Sequence, residues 1–130
     1  MTESDSVLAA NLEFYRAFTT QDLAAMERVW ATKAMVLCTH PGWLPLAGRE
    51  AVMESWRRIL SNPEAPNVMC HDDVAYLYGT MAVVVCEEEL SGGHLTATNI
   101  FIKEDGGWRL VHHQASPILT RELPPRARRH

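Results

Sequence analysis

Cys38, His40 and Trp43 stand within the six residues CTHPGW, around a Pro41-Gly42 turn. A thiol, an imidazole and an indole this close can form a reactive or metal-binding site, one side of a ligand pocket, or a tight turn with a buried aromatic. A loop histidine donates, accepts or titrates near neutral pH, and an indole offers a flat apolar wall with one N–H donor. A pocket lip and a packed turn are both compatible with this spacing.

The second cluster lies in TATNIFIKEDGGWRLVHHQAS, residues 96–116. If Asp105, Gly106 and Gly107 form a three-residue loop, Glu104 faces Trp108 across the ladder. Asn99 then opposes His113, Phe101 opposes Val111 and Ala97 opposes Ala115. Cross-strand neighbours share a face, so Asn99 and His113 become one polar pair on an apolar face, the usual make-up of a small-molecule pocket. Trp108, Leu110, His112 and Gln114 fall on the opposite face. A loop one residue longer would join Asn99 to His112 instead. The competing reading has one histidine buried and hydrogen-bonded and the other at a subunit interface, with no catalysis.

Other chemistries are poorly supplied. Cys38, Cys70 and Cys86 are an odd number with long spacings and no C-x-x-C pair, and they read as reduced, buried thiols. Nothing in the sequence lowers the pKa of Cys38 or Cys86 to make a nucleophile. Cys38, His40 and His113 can be proposed as metal ligands, but no helical i, i+4 pair supports them, and neither metal nor cofactor is expected. Glu87, Glu88 and Glu89 alternate along a strand, so Glu88 faces away from its neighbours; a solvated strand end is the expectation.

The elements that must position these residues follow from periodicity. Leu8, Leu12 and Tyr15, widened by Val7, Phe14 and Phe18, predict a helix over 5–19, with Asn11, Glu13 and Arg16 on the wet side. Thr20 is the expected N-cap of a second helix with Leu23, Met26 and Trp30 buried. Residues 34–39 read as a buried strand. GREAVMESWRRIL reads as a third helix, with Val52, Trp56, Ile59 and Leu60 inward, and the prolines of SNPEAPN end it. Trp30 and Trp56 are core residues that can also wall a pocket. Four strands follow, broken at Gly79-Thr80, Ser91-Gly92-Gly93 and Asp105-Gly106-Gly107, each break short enough for an antiparallel meander. The class is α+β: a curved antiparallel sheet with the helices on one face. Its free face would expose apolar residues unless a second subunit covered it, so a homodimer through the outer sheet face is expected.

A chain of 130 residues suggests one domain over 1–120. Residues 1–120 carry 8 basic and 15 acidic side chains, which argues against nucleic acid as partner. The last ten residues hold four arginines against one glutamate and read as a solvated, disordered tail. No apolar run approaches the roughly 20 residues of a membrane span, and the acidic start is unlike a secretory signal, so a cytoplasmic protein without membrane contact is expected.

FYRAFTTQDLAAMERVW, LAGREAVMESWRRI and TATNIFIKEDGGWRLVHHQASP together resemble the nuclear-transport-factor-2-like superfamily, closest to its SnoaL-like branch, which includes polyketide cyclases and kinase association domains. The resemblance covers roughly residues 5–118. It implies a cone-shaped α+β barrel with a pocket between sheet and helices, with His40 and Trp43 at its rim. The steroid-isomerase pattern of an aspartate base with a tyrosine and a protonated acid does not map here: Asp72 and Asp73 read as surface acids, Tyr76 and Tyr78 as dimer-face residues. The expected function is a pocket for a small, largely apolar molecule with isomerase, cyclase or dehydratase chemistry. His113, Asn99 and His40 would supply acid–base capacity, and Trp30, Trp43, Trp56, Phe101 and Val111 the walls. The alternative is a non-catalytic homodimerisation module.

Overall fold

The N-terminal pattern forms helix α1, Glu3–Thr19, closed at its start by a capping box. Thr2 Oγ1 accepts from Asp5 N, and Asp5 accepts from Thr2 N, each at 3.1 Å. The buried stripe is Val7, Asn11, Phe14, Tyr15 and Phe18. It is turned by one residue from the expected face: Leu12 is exposed and Asn11, assigned to the wet side, is fully buried. The Val7, Phe14 and Phe18 row brings more ring area to the core than a Leu8, Leu12 row, and Asn11 is carried inward with it. Helix α2, Leu23–Val29, is capped by Asp22, whose side chain accepts from Ala25 N. Thr20, the expected cap, instead ends α1.

The structure is a computed structural model describing residues 1–121; the expected basic tail lies outside the described residues apart from Arg121. Strand β1 is Leu37–Thr39, shorter than the 34–39 anticipated, and β2, Leu46–Ala47, was not anticipated at all. Helix α3, Arg49–Leu60, follows Gly48, whose φ of 93° lies where side-chain-bearing residues are strained. The meander is β3 (Met69–Tyr78), β4 (Met81–Leu90), β5 (Gly93–Glu104) and β6 (Gly107–Pro117). The sheet order is β2-β1-β6-β5-β4-β3. It is mixed rather than wholly antiparallel, because β1 runs parallel to β6, and its two edges do not join. The helices lie on one face. Trp30, Trp56, Phe14, Phe101, Met26 and Leu110 form the fully buried centre between them and the sheet.

The β5–β6 hairpin departs from the expected geometry in an instructive way. Its turn has two residues, with Glu104 paired to Gly107 and Lys103 to Trp108. Asp105 (φ 54°) and Gly106 (φ 80°) both take positive φ, as a type I′ turn requires, and Asp-Gly favours that turn because its twist matches the strands. Phe101 therefore pairs with Leu110, not Val111. A bulge between Ile100 and Phe101 then restores the pairs Asn99–His113 and Ala97–Ala115. On the turn side of the bulge β6 shows the reverse of the expected face, with Trp108 and Leu110 buried and Val111 only half-buried, while Phe101 stays inward and His112 outward as expected.

Glu104, next to this turn, pins the α2–β1 linker. Its carboxylate accepts from the backbone N–H groups of Thr32 (2.8 Å), Lys33 (3.0 Å) and Ala34 (3.2 Å). On the far side of the sheet, Tyr76, Val83, Ile100, His112 and Leu37 stand in one cross-strand row. Val74, Tyr76, Tyr78, Met81 and Val85 on this face are exposed.

Candidate functional site

Between the end of α1, α3, the turn after β1 and the strands β4 to β6 lies a cavity of about 240 Å³. Its wall is largely apolar, with Phe18, Trp43, Ile59, Val68, Leu90 and Leu95, and three polar side chains reach it: His40, Glu88 and His113. His113 is placed by register. Asn99 lies beside it on β5 and Cys38 on β1. Glu88 reaches the same face because Ala82, Val84, Cys86 and Glu88 alternate inward along β4.

A continuous hydrogen-bonded chain holds the polar groups. Tyr15, from α1, donates its hydroxyl proton to Glu88 Oε2 at 2.6 Å. Asn99 Nδ2 donates to Asn11 Oδ1 (2.9 Å) and to Tyr15 Oη (3.1 Å). Asn99 Oδ1 is left as an acceptor, so the 2.6 Å contact to His113 Nδ1 places the ring proton on Nδ1. His113 Nε2 thus carries a lone pair, 4.0 Å from Glu88 Oε2. His113 is 1% and Glu88 2% exposed, so both are sheltered from bulk water.

His40 is held from the other side. Ser55 donates its hydroxyl proton to Val52 O (2.6 Å), and its oxygen can therefore only accept from His40 Nε2 (2.9 Å). The His40 ring meets Trp56 and Trp43 edge-on, each at 4.8 Å between centroids, and lies 6.5 Å from the His113 ring.

Burial sets the protonation of these groups. It pushes His113 down to about 3, helped by the nearby His40 and His112, and His40 down to about 4. It raises Glu88, outweighing the opposing hydrogen bond from Tyr15, and it raises Tyr15, with the Glu88 carboxylate adding to the effect. Cys38 is pushed up to about 12 by burial and by Glu88, so its thiol is not a nucleophile at neutral pH. Two uncharged imidazoles beside a carboxyl that resists ionisation can exchange protons with a bound molecule in either direction. Among the described residues, no group of three or more histidine, cysteine or acidic side chains is arranged to hold a metal ion.

A SnoaL-like domain model matches residues 7–120, nearly the whole described chain. The chain belongs to the SnoaL-like family. This places it in the nuclear-transport-factor-2-like superfamily, in agreement with the α+β architecture. A candidate dehydratase of the nuclear-transport-factor-2-like family from Streptomyces avermitilis superposes with a TM-score of 0.84 at 32% identity, over 91% of this chain and 97% of that one. A candidate calcium/calmodulin-dependent protein kinase type II association domain from Thiobacillus denitrificans superposes with a TM-score of 0.76 at 31% identity, over 85% and 94% of the two chains. The F-box protein SKIP8 of Arabidopsis thaliana is 28% identical over 116 residues, 88% of this chain. The chain spans only 50% of that protein's length.

In this SnoaL-like domain the expected site residues separate into layers. His113, His40 and Trp43 line the cavity. Asn99 lies behind His113 and orients it. Trp56 backs both histidine rings at 4.8 and 6.1 Å. Trp30 and Phe101 belong to the core, and Val111 flanks the hairpin bulge, away from the cavity wall. Glu88, Tyr15, Asn11 and Ser55 were missed. The sequence did put Glu88 on the opposite face from Glu87 and Glu89, but the inward parity of Ala82, Val84 and Cys86 on the same strand is what makes that face the core. No helix among the described residues is long and apolar enough to cross a membrane.

Proposed function

We propose that this SnoaL-like domain binds a small, largely apolar molecule in the 240 Å³ cavity and moves a proton on it. One observation carries the reading: the bare His113 Nε2 and the Glu88 carboxyl stand 4.0 Å apart on an otherwise apolar wall. Each is fixed from behind, His113 by Asn99 and Glu88 by Tyr15. His113 takes a proton from the bound molecule, and Glu88 supplies one to a second atom or accepts the first in turn. Asn99 and Tyr15 are positioning residues; His40 closes the mouth beside Trp43. Isomerisation, cyclisation and dehydration all need this pairing of a base with an acid. The resemblance to a candidate dehydratase favours the last of them.

The test is a screen of small cyclic ketones and hydroxyketones in D₂O by NMR, following protein-dependent exchange or loss of water. The expected result is activity that falls by about 100-fold or more in His113→Gln and in Glu88→Gln, the scale of a lost general acid or base. Compounds that bind in the cavity yet undergo neither change would reduce the domain to a binding module.

A homodimer is the second part of the proposal, supported by the exposed Val74, Tyr76, Tyr78 and Met81 on the outer sheet face. The similarity to a kinase association domain points the same way. Analytical ultracentrifugation tests it: the wild type sediments as a dimer across the micromolar range, and Val74→Asp with Tyr76→Asp gives monomers. A monomeric wild type counts against it.

A further inference from the structure

The two imidazoles on the cavity wall have defined tautomers, and these narrow what a ligand must offer. His113 donates Nδ1–H to Asn99 Oδ1 and turns a lone pair toward the cavity. His40 donates Nε2–H to Ser55, because the Ser55 proton is committed to Val52 O, and its Nδ1 is again a lone pair. The ring's other polar neighbour among the described residues is the Cys38 sulfur, 3.6 Å from Nε2 and 3.9 Å from Nδ1. Glu88 Oε2 receives the Tyr15 hydroxyl. The cavity therefore offers two imidazole lone pairs beside one carboxyl that burial disposes to keep its proton and donate it, in a wall made by Phe18, Trp43, Ile59, Val68, Leu90 and Leu95.

Charge and size narrow the ligand further. No lysine or arginine lines the cavity, so a carboxylate would be desolvated without a cation to pair with. A bare ketone can accept from an uncharged Glu88 but leaves the His113 lone pair without a donor, whereas a hydroxyl can serve both. An ammonium ion would need an ionised Glu88, whose charge burial opposes. The volume of about 240 Å³ exceeds the roughly 150 Å³ that suffices for benzene, which leaves room for one ring and its substituents.

Resting on the reading of this cavity as a ligand site, we infer that it takes a neutral, single-ring molecule whose hydroxyl donates a hydrogen bond to His113 Nε2. The preference is for a hydroxyl over a carboxylate, a bare carbonyl or an ammonium group. His113 is thus a specificity-determining residue as well as the base.

Phenol, toluene, benzoate and benzylammonium share one ring and differ in the group presented, and they can be titrated against the full chain by NMR. Phenol should bind at least about tenfold more tightly than benzoate or benzylammonium. In His113→Leu the ratio of phenol to toluene affinity should fall about tenfold, the scale of one hydrogen bond to a buried acceptor. Should that variant not fold, the ¹⁵N resonance of His113 Nε2 in the wild type gives the answer: it moves on adding phenol and not on adding toluene. Tightest binding by benzoate or benzylammonium, or an Nε2 that carries the proton, overturns the inference. So does a phenol-to-toluene ratio that ignores the loss of His113, although the cavity would then remain a ligand site. Absence of binding by all four probes would remove the ligand site itself.

Discussion

Because His113 and His40 are uncharged in the folded domain, acid should unfold it by a calculable amount. Both fold with pKa values far below the ordinary 6.5, at about 3 and about 4. Below pH 6.5 the unfolded chain therefore binds more protons than the folded one, and stability falls as pH falls through that window. At about pH 5 each histidine accounts for about 2 kcal/mol of lost stability, and the pair for about 4 kcal/mol. Glu88 acts in the opposite sense, since its raised pKa makes the folded state bind its proton first, at higher pH. His112, half-buried and also lowered, adds to the loss. The assay is urea denaturation of the wild type, His40→Gln and His113→Gln at several pH values. Near pH 5.5 the wild-type curve should lose about 2.5 kcal/mol per pH unit, and either variant about half of that. The slope is informative even when a variant is less stable throughout, because a constant loss leaves it unchanged. Equal slopes in wild type and variants would refute neutral, buried histidines and the proton assignments built on them.

Three further outcomes follow from particular contacts. Glu104→Ala removes the acceptor of three linker N–H groups and should cost about 2–3 kcal/mol in denaturant titrations. The wild-type carboxyl is held at about 2, so its contribution is present at neutral pH and disappears as pH falls from about 4.5 toward 2, a window the variant should lack. Gly106→Ala meets open space but a φ of 80°, so thermal melts should show a loss of about 1 kcal/mol from backbone strain alone. Ser55→Ala leaves the His40 Nε2–H without its acceptor and should cost about 1–3 kcal/mol, with the His40 NMR signals changing most among the histidines.

Much of the fold was legible because its signals are local. The apolar stripes of α1 and α3, the Pro-rich break after Leu60 and the glycine-marked turns each reflect one residue's neighbours in sequence. What escaped depends on partners far away in the chain. Strand β2 has two residues and exists only because β1 lies beside it. The parallel pairing of β1 with β6 joins residues more than seventy positions apart. The Asn99–His113 pair was read from a three-residue loop that does not occur. It stands because the two-residue turn shifts the ladder by one and the bulge before Phe101 shifts it back. Phe101 and Trp108 lie on the turn side of that bulge, so Phe101 keeps its inward face but pairs with Leu110, and Trp108 turns inward instead of outward.

The buried polar residues argue that the cavity is the reason for this arrangement. Asn11 and Tyr15 from α1, Ser55 from α3, Glu88 from β4, Asn99 from β5, His113 from β6 and His40 from the turn after β1 are all nearly inaccessible. They form two hydrogen-bonded sets, Asn11, Tyr15, Glu88, Asn99 and His113 in one and Ser55 with His40 in the other, and both reach the cavity wall. A core needed only for folding or for displaying a dimer face would be at least as stable with apolar residues at these positions. Each element instead gives up part of its apolar stripe at the one place where all of them meet. An outer face built for association explains Tyr76 and Val85, but it makes no demand on Glu88 or His113, which lie on the opposite side of the sheet. The proposed dimerisation and the proposed proton chemistry therefore place separable demands on the two faces of the sheet. Substitutions on the outer face should change its assembly without altering the His113 tautomer, because the two lie on opposite sides of the sheet.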